Sequence, residues 1–133
     1  MLIIMRLMGI DFGTKRVGIA LSDEMGGMAF PHSVVPNDEK LLGVVEKLIE
    51  KERVGQIVVG HSVDKEGNPN RVQEAIEAFM LDLTLACGVP IELEKERYTT
   101  QEAMRLQGKT KLTDASAAAL ILDSFLQRKR ANG

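Results

Sequence analysis

The 133-residue chain is poor in several residue types that would define a class of protein. It has one cysteine, one tyrosine, no tryptophan and four prolines. Because Cys87 is alone, no disulfide can form within the chain, which favours a reducing cytoplasm. Cys87 lies in an apolar helical stretch and is interpreted as a packing residue. The few aromatic side chains leave little surface for stacking on unpaired bases.

The chain also lacks a strong charge of either sign and a long apolar run. Its net charge of −2 means that any contact with nucleic acid must come from a local basic patch. The apolar run at residues 1–10 contains Arg6 and falls well short of the ~20 residues of a membrane span. It has no small-residue cleavage site, which argues against a signal peptide. The length predicts one compact domain over residues 1–133 that does not associate with membranes.

Apolar patterning predicts five strands. The runs at residues 2–10 and 17–22 flank the short stretch DFGTKR and predict a β-hairpin. A third strand is predicted within residues 28–35, where Pro31 favours an edge position. The β-branched run at residues 56–60 is typical of a buried parallel strand, and residues 89–96 predict the last strand.

Helical periodicity predicts four helices between and after these strands. The first covers residues 39–52, with Asn37 or Asp38 as its N-cap, and the second runs from about Arg71 to a stop at Gly88. A short helix at residues 99–107 and a long one after Thr113 follow, and the polar segment at residues 61–70 is predicted to be a loop. The order predicts an α/β fold in which helices pack on one mixed five-stranded sheet, with three antiparallel N-terminal strands and two parallel ones.

Three acidic residues are predicted near one edge of this sheet. Asp11 is expected just after the first strand, Glu96 at the end of the last strand, and Asp114 in the first turn of the final helix. Nucleases that use Mg²⁺ or Mn²⁺ commonly hold two ions about 4 Å apart with carboxylates. Each acid also has an ordinary explanation: Asp11 as a turn residue, Asp114 as a complement to the helix dipole, and Glu96 as a solvated charge. The residues alone leave both interpretations open.

Four motifs together resemble a known family. They are MGIDFGTKRVGIALSD, IVVG with the polar loop after it, ERYTTQEA, and KLTDASAAALILDSFL, and they occur in the order seen in the YqgF family, whose members are also called RuvX. The match runs from about residue 5 to residue 126. The family is described as Holliday junction resolvases or as nucleases of pre-16S ribosomal RNA. The resemblance therefore implies a ribonuclease H-like fold similar to that of RuvC, a cytoplasmic location and hydrolysis of nucleic acid.

The resemblance also implies roles for particular residues. Asp11, Glu96 and Asp114 match the family's proposed metal-binding catalytic acids, which would hold Mg²⁺ or Mn²⁺. Residues that match the rest of the motifs or flank the acids are expected to contact the substrate, namely Lys15, Arg16, Arg97, Thr99 and Thr100. The cations among them have an equally good explanation as a solvated rim. The chain departs from the family at Lys95, where an aspartate is usual, and at His61, which begins a His-Ser pair in place of Leu-Pro. His61 is interpreted either as a general acid or base or as a polar loop residue.

Two other functions compete with the nuclease interpretation. The stretch D-x-G-T also occurs in the phosphate loops of actin-like and hexokinase-like ATPases, but those proteins close two such lobes around a nucleotide, and this chain has the length of one. A non-catalytic module that binds structured RNA or a ribosome-assembly partner remains as an alternative. The expected partner in either nucleic-acid interpretation is pre-ribosomal RNA or branched DNA, and symmetric cleavage of a junction would call for a homodimer.

Overall fold

The computed structural model describes residues 5–61, 70–95 and 114–132. In chain order its elements are β1 (Arg6–Phe12), β2 (Arg16–Ser22), β3 (Ala29–Pro36), α1 (Leu41–Glu52), β4 (Val54–His61), α2 (Asn70–Cys87), β5 (Ile91–Lys95) and α3 (Asp114–Asn132). The short helix predicted at residues 99–107 and residues 62–69 of the predicted loop lie outside the described residues. The prediction was wrong at both ends of that loop, because His61 pairs with Lys95 as the last residue of β4 and Asn70 is the first residue of α2.

The five strands form one mixed sheet in the order β3-β2-β1-β4-β5. β2 pairs antiparallel with both β1 and β3, whereas β4 pairs parallel with both β1 and β5. The predicted fold class is therefore confirmed. Pro31 lies in β3 at the edge of the sheet, as the sequence predicts, because a residue without an N–H cannot complete a ladder on both sides.

The sheet buries apolar side chains on both faces, since residues alternate between the faces along each strand. One face packs against α1 and α2, and its fully buried residues include Ile10, Val45 and Ile76. The other face packs against α3, through residues such as Val58 and Leu122. Ile10 and Phe12, the neighbours of Asp11 in β1, lie on the face that packs against α1 and α2. Asp11 therefore lies on the face that packs against α3, and that face carries the candidate site.

The structure also corrects the predicted start of α1 and the predicted end of β1. Helix α1 begins at Leu41, and Lys40 before it makes no side-chain capping bond, so neither Asn37 nor Asp38 is the N-cap. Asp38 instead accepts the backbone N–H of Lys40 at 2.9 Å in a local turn. Asp11 lies within β1 and not after it, because the hairpin ladder continues to the pair of Phe12 with Val17.

Helix α2 ends as predicted. Gly88 follows it with a left-handed φ of 68°, and its N–H donates to the carbonyl of Thr84 at 2.9 Å. A residue without a β-carbon adopts this conformation at little cost, so the helix stops there. None of the helices within the described ranges is long and apolar enough to cross a membrane.

Candidate active site

Asp11 lies next to last in β1, at the carboxyl end of that strand, and only 8% of its surface is exposed. Its neighbour in β2 is Gly18 and its neighbour in β4 is Gly60. Gly60 in turn pairs with Glu94 of β5, and Gly18 pairs with Val34 of β3. The cross-strand row at this level of the sheet is thus Val34, Gly18, Asp11, Gly60 and Glu94, so Asp11 has a glycine on each side.

Helix α3 lies directly over this row. A β-carbon on Gly60 would be 2.7 Å from Cδ1 of Ile121, and one on Gly9, two residues before Asp11, would be 2.7 Å from the carbonyl oxygen of Ala118. Both distances are shorter than contacts that real β-carbons make. The absence of a β-carbon at these two glycines therefore lets α3 pack closely on the sheet beside Asp11.

Glu94 is a second buried carboxylate in the same row, and sequence reasoning missed it. Its side chain is 8% exposed, and Oε1 lies 2.8 Å from a guanidinium nitrogen of Arg128 in α3. Oε2 is buried and makes no hydrogen bond within the part of the chain that is described. Ile121 of α3 lies over Gly60, the residue between Asp11 and Glu94 in this row. The ion pair with Arg128 links β5 to the C-terminal half of α3.

The two cations predicted to contact the substrate lie beside the candidate site. Lys15 is in the three-residue connection between β1 and β2, and Arg16 is the first residue of β2. Both side chains are exposed. They follow Asp11 by four and five residues along a tight hairpin, so they share its end of the sheet.

The structure describes the other predicted residues only in part. Asp114 is the first residue of α3, the helix that crosses over Gly9 and Gly60, but its side chain lies outside the described residues. His61 and Lys95 form the last register pair of β4 and β5, and their side chains are likewise not described. Residues beyond β5 in the ERYTT motif also lie outside the described ranges, namely Glu96, Arg97, Thr99 and Thr100.

The metal assignment rests on the donor chemistry of the three acids. Within the ranges that are described, no three histidine, cysteine, aspartate or glutamate side chains are grouped to hold an ion. Asp11 supplies one buried carboxylate of the type that Mg²⁺ and Mn²⁺ prefer. A complete site would need Glu96 and Asp114 as well, so metal binding stays a prediction.

A cavity elsewhere on the molecule is unrelated to this site. Its volume is about 320 Å³ and its lining includes Arg6, Glu24, Lys51 and Arg53. Arg6 begins β1, whereas Asp11 is five residues along the strand, about 16 Å away at the usual rise per residue. Its lining mixes acidic and basic side chains. The cavity opens at the opposite end of the strands from Asp11.

Solved structures define the class of fold. The chain aligns with RuvC of Thermus thermophilus, solved in complex with a Holliday junction substrate, at a TM-score of 0.64 and 16% identity, covering 95% of this chain and 96% of that one. It also aligns with the fowlpox virus Holliday junction resolvase at a TM-score of 0.55 and 13% identity, covering 93% and 99% of the two chains. The fold is therefore RuvC-like, within the ribonuclease H-like class, as the sequence motifs predicted.

Sequence comparison then identifies the family. The family model described as "RuvX: Holliday junction resolvase" matches residues 5–128. A protein of Salinibacter ruber named "Putative pre-16S rRNA nuclease" is 37% identical over 134 residues, covering 92% of this chain and 93% of that protein. A protein of Pelotomaculum thermopropionicum with the same name is 38% identical over 133 residues, covering 92% and 86%. The chain belongs to the RuvX family, and it is a hydrolase of the nuclease class.

Proposed function

We propose that the chain is a metal-dependent nuclease that processes the 5′ end of pre-16S ribosomal RNA in the cytoplasm. In this proposal Asp11, Glu96 and Asp114 hold Mg²⁺ or Mn²⁺ at the carboxyl edge of the parallel strands. The observation that carries it is the buried Asp11 at the end of β1, beneath the helix that begins at Asp114.

The topology supports a meeting of the three acids. β1, β4 and β5 are parallel neighbours, so their carboxyl ends lie at one edge of the sheet. Asp11 is near that end of β1, and Glu96 is the residue after Lys95, which ends β5. Ligands of open α/β sheets bind in the crevice outside the carboxyl ends of the strands.

The chemistry of the donors fits a divalent ion. Three carboxylates are hard oxygen ligands, and a magnesium site commonly uses few protein ligands besides water and phosphate oxygens. When bound, Mg²⁺ or Mn²⁺ polarises the phosphodiester and lowers the pKa of water. Crowded carboxylates repel one another unless a cation neutralises them, so the same three residues would bind the ion and be stabilised by it.

Cationic and hydroxyl side chains would hold the substrate beside the acids. Lys15 and Arg16 are exposed at the Asp11 end of the hairpin and are proposed to contact backbone phosphates. Arg97, Thr99 and Thr100 follow Glu96 closely in the sequence and are proposed to complete this contact. Phosphate contacts fix the position of the chain without reading sequence, which suits a substrate recognised through its shape.

The choice of pre-ribosomal RNA rests on the relatives that share more than a third of their residues with this chain and are named for that substrate. The low aromatic content agrees with recognition through backbone and shape. Processing of ribosomal RNA also agrees with the cytoplasmic location that the single cysteine favours.

A second candidate function is the resolution of Holliday junctions in DNA. The description of the family model favours it. Symmetric cleavage of a four-way junction requires two active sites related by a two-fold axis, so this activity would need a homodimer. The two functions would use the same three acids.

The test is a cleavage assay with purified protein. Pre-16S leader RNA, a four-way DNA junction and ATP are each incubated with the protein in Mn²⁺ and in Mg²⁺, beside an Asp11→Asn variant. We expect cleavage of the leader RNA that depends on the ion, and a loss of at least about 100-fold in rate with Asp11→Asn, since ion binding contributes several kcal/mol to the transition state.

Four outcomes would contradict different parts of the proposal. Cleavage of the junction alone would favour the second candidate. Cleavage that Asp11→Asn leaves unchanged would overturn the assignment of the site. Binding of leader RNA without any cleavage in either ion would favour a non-catalytic binding module, and ATP hydrolysis without nucleic-acid cleavage would favour the ATPase interpretation.

A further inference from the structure

The connection between β1 and β2 is a closed, tight turn, which we call the β1–β2 loop (Gly13, Thr14 and Lys15). The N–H of Gly13 donates to the carbonyl oxygen of Arg16 at 3.0 Å. A β-carbon on Gly13 would lie 2.5 Å from the same oxygen, so only glycine allows the approach. The loop therefore has one compact shape, with Lys15 at its end.

Asn37 holds this loop at two points. Its side-chain Nδ2 donates to the carbonyl oxygen of Gly13 at 2.7 Å, and its backbone N–H donates to the carbonyl oxygen of Lys15 at 2.9 Å. A carbonyl only accepts, so the amide group of Asn37 must face Gly13 with its nitrogen. The two bonds hold the loop on both sides of Thr14.

The position of Asn37 explains why it can do this. It follows Pro36, the last residue of β3, which pairs with Arg16 at the start of β2. Its backbone bond to Lys15 thus extends the β2–β3 ladder by one step into the loop. The residue is half-buried, and the turn before the helix is formed by its neighbour Asp38. Asn37 is therefore committed to the hairpin and not to the helix.

The loop and the first residue of β2 carry the two cations that follow Asp11 most closely in the sequence. Lys15 is in the loop and Arg16 closes it, and both side chains are exposed. A cation that is already held in place loses less conformational freedom when it binds a phosphate, so fixing the backbone beneath it strengthens binding. Fixing it relative to Asp11 also sets where along the substrate backbone the scissile phosphate falls.

We propose that Asn37 is a positioning residue for the substrate. It fixes the β1–β2 loop so that Lys15 and Arg16 bind backbone phosphates in register with Asp11. The residue acts through those two cations and does not itself contact the reacting atoms. This inference rests on the proposed nuclease function, and it adds a residue outside the four sequence motifs to the site.

The experiment is a double-mutant cycle on the cleavage of pre-16S leader RNA in Mn²⁺. Asn37→Ala is made in the wild-type chain and in a Lys15→Ala/Arg16→Ala background. In the wild-type chain we expect KM to rise about 3- to 10-fold, as for the loss of a hydrogen bond, and kcat to fall as well, because the scissile phosphate is less well aligned with Asp11. In the double background we expect Asn37→Ala to leave KM unchanged, because its effect passes through the two cations.

The salt dependence of KM separates positioning from a general loss of stability. Removing one cation from a phosphate lowers the slope of log KM against log salt by about 1. We expect Asn37→Ala to lower that slope, as Lys15→Ala does. Asp38→Ala is the matched control. Asp38 is adjacent to Asn37, but within the described residues it accepts hydrogen bonds from the backbone of Lys40 and Leu41 at the start of α1 and not from the β1–β2 loop. It is expected to leave the slope and KM unchanged.

Asn37→Leu, which has a similar branched shape and no donor, serves as a second variant if Asn37→Ala does not fold, and the same results are expected. An unchanged KM, or an equal rise of KM in both backgrounds, would overturn the inference while leaving the nuclease function intact. A wild-type chain that neither binds nor cleaves the leader RNA would overturn the proposed function, and the inference with it.

Discussion

Replacement of Gly60 by alanine tests how closely α3 packs beside Asp11. The new β-carbon would lie 2.7 Å from Cδ1, 3.0 Å from Cγ1 and 3.1 Å from Cγ2 of Ile121. Rotation about the Cβ–Cγ1 bond of Ile121 would move only Cδ1 and leave the contacts of Cγ1 and Cγ2, so the whole side chain or the helix must move. Ile121 is two helical turns after Asp114, so such a movement would displace the start of α3 relative to Asp11.

The expected cost follows from overpacking of a buried site. Such insertions typically destabilise by about 1–3 kcal/mol. For a domain of this length that corresponds to a fall of about 4–12 °C in melting temperature. Ile121→Ala alone should destabilise by about 2–5 kcal/mol, because it empties a fully buried site. In the double variant the new methyl group fills part of that space, so the combined loss should be smaller than the sum by at least about 1 kcal/mol.

Gly9→Ala is the matched control. Its β-carbon would lie 2.7 Å from the backbone oxygen of Ala118 and 2.8 Å from Cβ of Leu122. Leu122→Ala removes neither atom, so truncating that side chain should give no rescue. The losses for Gly9→Ala and Leu122→Ala should therefore add.

The assay is urea and thermal unfolding followed by circular dichroism, with the cleavage rate of each folded variant measured in parallel. Gly60→Ala with wild-type stability would refute the close packing of α3 on the sheet. Strict additivity with Ile121→Ala would refute the assignment of the clash to that side chain.

Three further predictions concern single groups. Arg128→Ala should lower the free energy of unfolding in urea by about 1–3 kcal/mol, because it leaves the Glu94 carboxylate buried without its cation. Glu94→Gln in the same background should recover part of that loss. An unchanged free energy of unfolding in Arg128→Ala would contradict the role of this ion pair. The N–H of Gly27 donates to Oδ1 of Asp23 at 2.7 Å and lowers the pKa of that carboxyl group below its ordinary value of 3.8. The ionised Asp23 therefore stabilises the fold above pH 3.8, and this contribution is lost as the pH falls through the lower pKa of the folded state. An NMR titration midpoint for Asp23 at or above 3.8 would contradict this. Burial raises the pKa of the Cys87 thiol, so its alkylation near pH 8 should be slower than that of a free cysteine at the same pH, and an equal rate would contradict it.

Local sequence patterns predicted most of the fold because the elements that form it are strongly periodic. Helix α1 buries Leu41, Val45 and Ile49 at intervals of four, and the apolar set is visible in the sequence. Asp11 was predicted just after β1 but lies within it. The end of β1 is determined by its pairing with β2, which a local sequence pattern does not contain.

The predicted role of Asn37 was wrong for a similar reason. An asparagine before an apolar helical pattern predicts an N-cap, and nothing nearby in the sequence distinguishes a cap from a residue that reaches across the sheet. Its partners, Gly13 and Lys15, are more than twenty residues earlier. Only the pairing of β2 with β3 brings them together.

For the candidate site, the sequence predicted the acids but not the packing around them. Glu94 lies in a strongly charged stretch of sequence, and its ion-pair partner Arg128 is 34 residues later. Asp11 was identifiable from its motif, yet its two glycine neighbours belong to β2 and β4 and become neighbours only in the sheet. The assignments of Glu96 and Asp114 stay predictions.

Binding of Mn²⁺ to the protein tests the central claim most directly. The free ion can be followed by electron paramagnetic resonance as protein is added, with wild-type chain and Asp11→Asn compared under conditions where both are folded. The proposed site predicts that the wild-type chain binds Mn²⁺ and that Asp11→Asn binds it at least about 10-fold more weakly, since a charged ligand is removed. Equal binding by the two proteins would contradict the assignment of Asp11 to a metal site.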